Sequence, residues 1–195
     1  MPMKILDCRA HKCPHPVVET RKQMLAEPGA ELTVLVGDTT ARENISRLAA
    51  SQGYTVQAEA AEGGFSLQLT PGEKPAETAG PAVQGKSVAF IASDAMGNGS
   101  DELGRLLMKN FLFTLTELET VPDVLLFVNA GVKLTAAGSE ALEALEKLAC
   151  MGADVASCGL CLDFFHLKEK LAVGRVTNML DIAETLQKAG RIIRP

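Results

Sequence analysis

Near the start of the chain, "DCRAHKCPHPVVETRKQ" (residues 7–23) sets Cys13 directly before Pro14 and Pro16 and then runs into a helical pattern. Core packing does not ask for that arrangement. Pro14 suits the first helical position and Pro16 the third, because early first-turn amides have no intrahelical partner to lose. Cys13 is then expected to cap the helix, with the His15 amide left to face its sulfur. The helix dipole, Lys12, and the neighbouring His11, His15, Arg21 and Lys22 would favour a thiolate there. A thiolate held at a rigid helix start is a nucleophile or a sulfur carrier. The alternative is a buried structural cysteine.

A second group lies far along the chain, where Cys158 and Cys161 form "SCGLC". Such a pair reads as a redox dithiol, half of a zinc site, a sulfur-relay pair or simple buried packing. Cys150 and His166 could complete a zinc set. Against it, Cys150 is expected to pack at a helix end, and "DFFHLK" is apolar for a ligand segment, so no metal is expected. A thioredoxin-like dithiol would sit at a helix start after a strand. The sequence puts the next helical run several residues later, near "FFHLKEKL", which weakens a dithiol oxidoreductase. "GNGSDE" lacks the Lys of a phosphate loop and reads as a helix cap by Ser100 or Asp101. No cofactor is implied.

Composition frames these sites. The 195 residues are 47% hydrophobic and 22% charged with a net charge of −5, the profile of an ordinary globular protein. No basic block or stripe is present, which argues against nucleic acid as a partner. Five cysteines make an odd count, which reads as chemistry or packing sooner than a disulfide framework. "MPMKILDCRA" lacks the apolar run of a signal peptide, and runs such as "DVLLFVNAG" are too short to span a membrane. A cytoplasmic location is the expectation.

The elements that must position the two sites fall on either side of "TPGEKPAETAGPAVQG", a Pro-, Gly-, Ala- and Glu-rich stretch without periodicity. We expect domains at 1–70 and 86–195, joined by a flexible linker over 71–85. At about 16 residues, the stretch reaches on the order of 20–25 Å. The first part reads strand, helix (Pro14 to about Ala26), strand, helix (about Ala41 to Ser51), then two strands joined at "EGG". That order predicts a two-layer α/β sandwich with helices on one face of a mixed sheet. The second part opens on the buried-strand pattern "KSVAFIASD". A long helix follows, with Leu103, Leu106, Leu107, Phe111, Leu115 and Leu118 as its expected core stripe. Strands and helices then alternate to a final "RIIR", which predicts an open, mainly parallel α/β sheet with helices on both faces. "SDAMGNGS", "NAG" and "CGLC" fall at strand ends, where ligand sites of such sheets gather.

"LDCRAHKCPHPVVETRKQML" resembles the TusA/SirA family of sulfur carriers, through Leu6-Asp7, the Cys13-Pro14-x-Pro16 signature and the spacing of Lys22. Ala10 departs from the Gly usual in that family. The resemblance covers about residues 3–70. It implies that Cys13 carries persulfide sulfur, taken from a cysteine desulfurase-type donor and handed to a downstream acceptor protein. Asp7, Lys12, Pro14, His15, Pro16 and Lys22 are its supporting residues. Residues 86–195 resemble a DsrE-like domain, so the whole chain resembles the YedF-type fusion, a sulfurtransferase-like family labelled with selenium metabolism. That likeness implies homo-oligomerisation through the second domain, with Cys158 or Cys161 as a second sulfur acceptor. The competing expectation is a partner-binding or redox-sensing regulatory protein without turnover.

Overall fold

Leu32, Val34 and Val36 alternate along one strand and are all buried, the period-two signature of a sheet with one covered face. The computed structural model describes residues 4–12, 14–72 and 85–195. The chain divides into two units, residues 1–80 and 81–195. All of the expected linker but residues 71, 72 and 85 lies outside the described residues.

Unit 1 runs β1 (Lys4–Cys8), α1 (His15–Ala26), β2 (Leu32–Val36), α2 (Thr39–Ser51), β3 (Tyr54–Ala61) and β4 (Gly64–Pro71). Its sheet has the order β1-β2-β4-β3, with β1 and β2 parallel and the other pairs antiparallel. This is the expected mixed sheet. Leu67 and Leu69 of β4 join the β2 residues on the covered face. Ala41, Ile45 and Ala49 of α2, one turn apart, lie against them. Asp38 caps α2, its Oδ1 accepting from the Ala41 amide at 2.7 Å.

Unit 2 runs β5 (Lys86–Ile91), α3 (Asp101–Leu115), β6 (Val124–Phe127), a 3-10 segment (Asn129–Thr135), α4 (Leu142–Cys150), β7 (Asp154–Cys158), α5 (Gly159–Phe164), a 3-10 turn (Lys168–Lys170), β8 (Arg175–Thr177), α6 (Met179–Gln187) and β9 (Ala189–Ile193). The strands are all parallel, in the order β8-β7-β6-β5-β9. The chain steps from β5 outward to β8 and then reverses to set β9 on the other side of β5. Right-handed crossovers put helices of opposite steps on opposite faces. Met108, Leu112, Leu145, Leu148 and Leu162 of α3, α4 and α5 therefore share one core. Ile182 of α6 covers the other face, over Val88, Leu126, Ala156 and Cys158.

Four expectations for unit 2 need correction. The buried stripe of α3 is Gly104, Met108, Leu112 and Leu115, whereas Leu103, Leu106, Leu107 and Leu118 are 40–54% exposed. Gly104 explains the rotation, because its missing side chain lets α3 settle onto Ala95 and Met96. The strand "DVLLFVNAG" stops at Phe127, and Asn129, at φ 48, turns the chain into the 3-10 segment. The helix expected near "FFHLKEKL" begins instead at Gly159 and ends at Phe164, leaving only the 3-10 turn further on. Strand β8 adds a strand where none was expected.

Candidate functional site

Cys13 lies outside the described residues, but its flanks are described and they define the start of α1. Pro14, at φ −92 and ψ −2, is the cap residue, and helical geometry begins at His15. Pro16 is thus the second helical residue, one place earlier than expected. The His15 amide donates to the Lys12 carbonyl at 3.1 Å, and the Val17 and Val18 amides both donate to the Pro14 carbonyl at 3.1 Å. Pro16 has no N–H. The expected His15 donor is therefore engaged in the backbone turn, and the described first turn holds no free amide to give a sulfur. What remains is the positive end of the helix and exposed Lys12, with the His11 and His15 rings, 4.8 Å apart, beside them. The turn is held firmly, since Pro16 is buried and its carbonyl accepts from Thr20 Oγ1 at 2.7 Å. Lys22 pairs with Glu19 at 3.2 Å on the helix surface.

Asp7 works locally. Its carboxylate grips Arg9 through Nε at 2.9 Å and Nη2 at 2.6 Å, and Arg9 Nη1 donates to the Glu62 carbonyl at 3.0 Å. The clasp ties the end of β1 to the turn between β3 and β4. The Arg9 side chain, then its backbone N–H, hold the Asp7 carboxyl down at about 2. Sequence reasoning missed Arg9, whose signal was its place two residues beyond Asp7. The turn after β1 closes with the His11 amide on the Cys8 carbonyl at 3.0 Å. Ala10 is not among the residues at positive φ, so alanine fits there without strain. Cys8 is core, 2% exposed, and burial pushes its thiol up.

The structure brings Cys158 and Cys161 together. Cys158 ends β7, caps α5 and is 2% exposed. Cys161, one turn on, is half-buried and packs against both cores of unit 2, the second of which contains Cys158. The Asn129 amide donates to Cys161 Sγ at 3.1 Å. The positive φ of Asn129 aims that amide, and asparagine tolerates the conformation better than most residues. Gly131 is needed just after it, because a side chain there would collide with the Ile91 carbonyl. Burial raises the Cys161 thiol, the Asn129 amide works to lower it, and Cys158 raises it further.

Helix α5 thus starts immediately at the pair, so the argument that no helix begins there fails. Cys150 is exposed at the end of α4 and not packed. Among the described residues, no three His, Cys, Asp or Glu side chains converge as a metal site. Leu160 and Phe164, flanking Cys161 on α5, are 77% and 76% exposed. A cleft of about 850 Å³ lies elsewhere, between α3 and the segment after β6, and neither cysteine lines it. No helix among the described residues is long and apolar enough to cross a membrane.

Residues 4–70 match the family model described as "Sulfurtransferase TusA". Among solved structures, a SirA-like protein from Desulfitobacterium hafniense is 28% identical, over 36% of this chain and 100% of that one, with a TM-score of 0.34. The ychN protein of E. coli is 17% identical over 56% of this chain and 99% of its own, with a TM-score of 0.45. A protein of unknown function from Methanobacterium thermoautotrophicum is 24% identical over 56% and 97%, with a TM-score of 0.43. No curated protein matches the chain.

Proposed function

We propose that this chain, whose residues 4–70 form a TusA-like sulfurtransferase domain, is a persulfide carrier in which Cys13 holds the sulfur. One observation carries the reading. The family match spans Cys13-Pro14-His15-Pro16, and those residues flank the start of a firmly held helix with Lys12, His11 and His15 around it. The Cys13 thiolate attacks the outer sulfur of a donor Cys–S–SH. A Cys13–S–SH bond forms, the donor S–S bond breaks, and the donor cysteine leaves as a thiol. The sulfur then passes to an acceptor protein, or to Cys161 or Cys158. Selenium is carried by the same exchange.

Unit 2 is, on this reading, the DsrE-like half of a YedF-type fusion, which assembles into homo-oligomers. The cytoplasm is the compartment. A cysteine desulfurase-type enzyme is the donor. Lys12 and His15 support the thiolate, Pro14 and Pro16 hold the turn, and Asp7 and Lys22 hold the surroundings in place.

The test gives the reduced protein to a cysteine desulfurase with cysteine and maps added sulfur by mass spectrometry. We expect sulfur on Cys13, lost in Cys13→Ala. An active donor that leaves every cysteine unmodified would sink the carrier in favour of the regulatory, partner-binding reading.

A further inference from the structure

We propose that Cys158 and Cys161 form a reducing dithiol that takes sulfane sulfur at Cys161 and discharges it as hydrosulfide, closing a Cys158–Cys161 disulfide. The pair is asymmetric in access. Cys158 is 2% exposed and Cys161 half-buried, so a sulfur donor meets Cys161 first. It is also close-set. Cys158 caps α5, Cys161 lies one turn on, and Cys161 packs against the core cluster that contains Cys158. Two cysteines in that relation close a disulfide with little backbone movement. The third feature is the Asn129 amide, 3.1 Å from Cys161 Sγ. It steadies negative charge on that sulfur when Cys161 attacks, and keeps the same sulfur electron-poor when it is attacked in turn.

The chemistry balances in two steps. Cys161 thiolate attacks the outer sulfur of a persulfide R–S–SH; the donor S–S bond breaks, R–S⁻ leaves and is protonated to the thiol, and Cys161 becomes Cys161–S–SH. Cys158 thiolate then attacks Cys161 Sγ. The bond from Sγ to the outer sulfur breaks, hydrosulfide leaves, and the Cys158–Cys161 disulfide forms. The outer sulfur gains two electrons and the two thiols together lose two. A dithiol reductant, by the same exchange, restores the pair. Attack on the inner sulfur is favoured because Sγ is fixed to the backbone one turn from Cys158, whereas the outer sulfur is free to rotate away. Exposed Leu160 and Phe164 give an incoming donor an apolar surface beside the entry sulfur.

Delivery of sulfur from Cys13 rests on the carrier reading, whereas the dithiol step does not, and the test separates them. The full chain carrying Cys13→Ala is reduced, freed of air and given glutathione persulfide, with hydrosulfide trapped and cysteines mapped by mass spectrometry. We expect one equivalent of hydrosulfide per chain and a disulfide in the peptide holding Cys158 and Cys161. In Cys158→Ala, sulfur should remain on Cys161 and hydrosulfide release should fall about tenfold or more, the loss of an intramolecular attack. Cys161→Ala should do neither. Cys158→Ser is a second variant, and thermal melts confirm that each chain is folded. Release unchanged in both folded Cys158 variants overturns the proposal, as does sulfur that ends on Cys158. Success here together with failure of the desulfurase experiment would reject the Cys13 carrier alone.

Discussion

Gly131→Ala tests how the fold sets the reactivity of Cys161. The new methyl would collide with the Ile91 carbonyl, which already accepts from the Val128 amide at 3.0 Å. To restore ordinary contact, the 3-10 segment must retreat from β5 by roughly 1 Å. Overpacking of this kind costs about 1–3 kcal/mol. The Asn129 amide lies two residues away on the same segment, and a comparable retreat would stretch its 3.1 Å bond to Cys161 Sγ beyond hydrogen-bonding range. A hydrogen bond to a charged group contributes about 1.5–3 kcal/mol, so its loss should push the Cys161 thiol further up. The assay is alkylation by iodoacetamide across pH, read at Cys161 by mass spectrometry. At mildly alkaline pH the labelling rate should drop about tenfold or more, in step with the lost thiolate. Buried Cys158 staying unlabelled would show that the variant is folded. A folded variant with an unchanged Cys161 profile would refute the amide's role.

Other outcomes follow from the same contacts. Asp7→Asn should weaken the clasp on Arg9, and its effect should depend on pH. The wild-type carboxyl sits at about 2 when folded, below the ordinary value of about 3.9. Its contribution is therefore full above the ordinary value and lost as pH falls toward the folded one. Wild type and variant should differ at neutral pH and converge in strong acid, followed through the fluorescence of Tyr54, the chain's single tyrosine. On α3, Met108→Ala should cost about 2–5 kcal/mol, because Met108 is 1% exposed. Leu106→Gln should stay within about 0.5 kcal/mol, since Leu106 is 54% exposed. Denaturant unfolding compares the two, and an equal loss would return α3 to the leucine stripe read from the sequence.

Strand and helix order was legible wherever periodicity was strong. Leu32, Val34 and Val36 declared β2, and the spacing of Ile45, Leu48 and Ala49 declared the inner face of α2, where Leu48 is only partly buried. The misreadings share a cause: they turn on small residues whose effect depends on what they approach. Gly104 and Met108 define the inner face of α3, yet the eye follows the more numerous leucines. Gly159 opens α5 at Cys158, although glycine weakens a helix signal on propensity alone. Gly131 and Asn129 end β6 by a close approach and a positive φ, neither of which hydropathy encodes. At Cys13 the sequence showed the prolines but not the His15–Lys12 hydrogen bond, which decides whether an amide is free. The pairing of Cys158 with Cys161 was legible from spacing. The Asn129 donor was not, because it comes from a different strand end.

The two proposed sulfur sites differ in a way that gives transfer a direction. In thiol exchange a lower-pKa thiol leaves faster, and a higher-pKa thiolate attacks faster. On the proposed carrier reading, the positive end of α1 and exposed Lys12 favour negative charge beside them, which would suit the Cys13 sulfur as a leaving group. Burial raises the Cys161 thiol, so its thiolate is scarce at neutral pH but strongly nucleophilic when formed. On the proposed reading, sulfur would run from Cys13 to Cys161 and return slowly. This sets the pH dependence of the two legs apart. Loading of Cys13 by a donor should depend on pH less steeply than the onward transfer. Transfer onward should keep rising through the alkaline range, as Cys161 deprotonates above the ordinary thiol value. Rapid-quench mass spectrometry of each leg across pH measures both, and identical profiles would mean that the two sulfurs share one kind of environment.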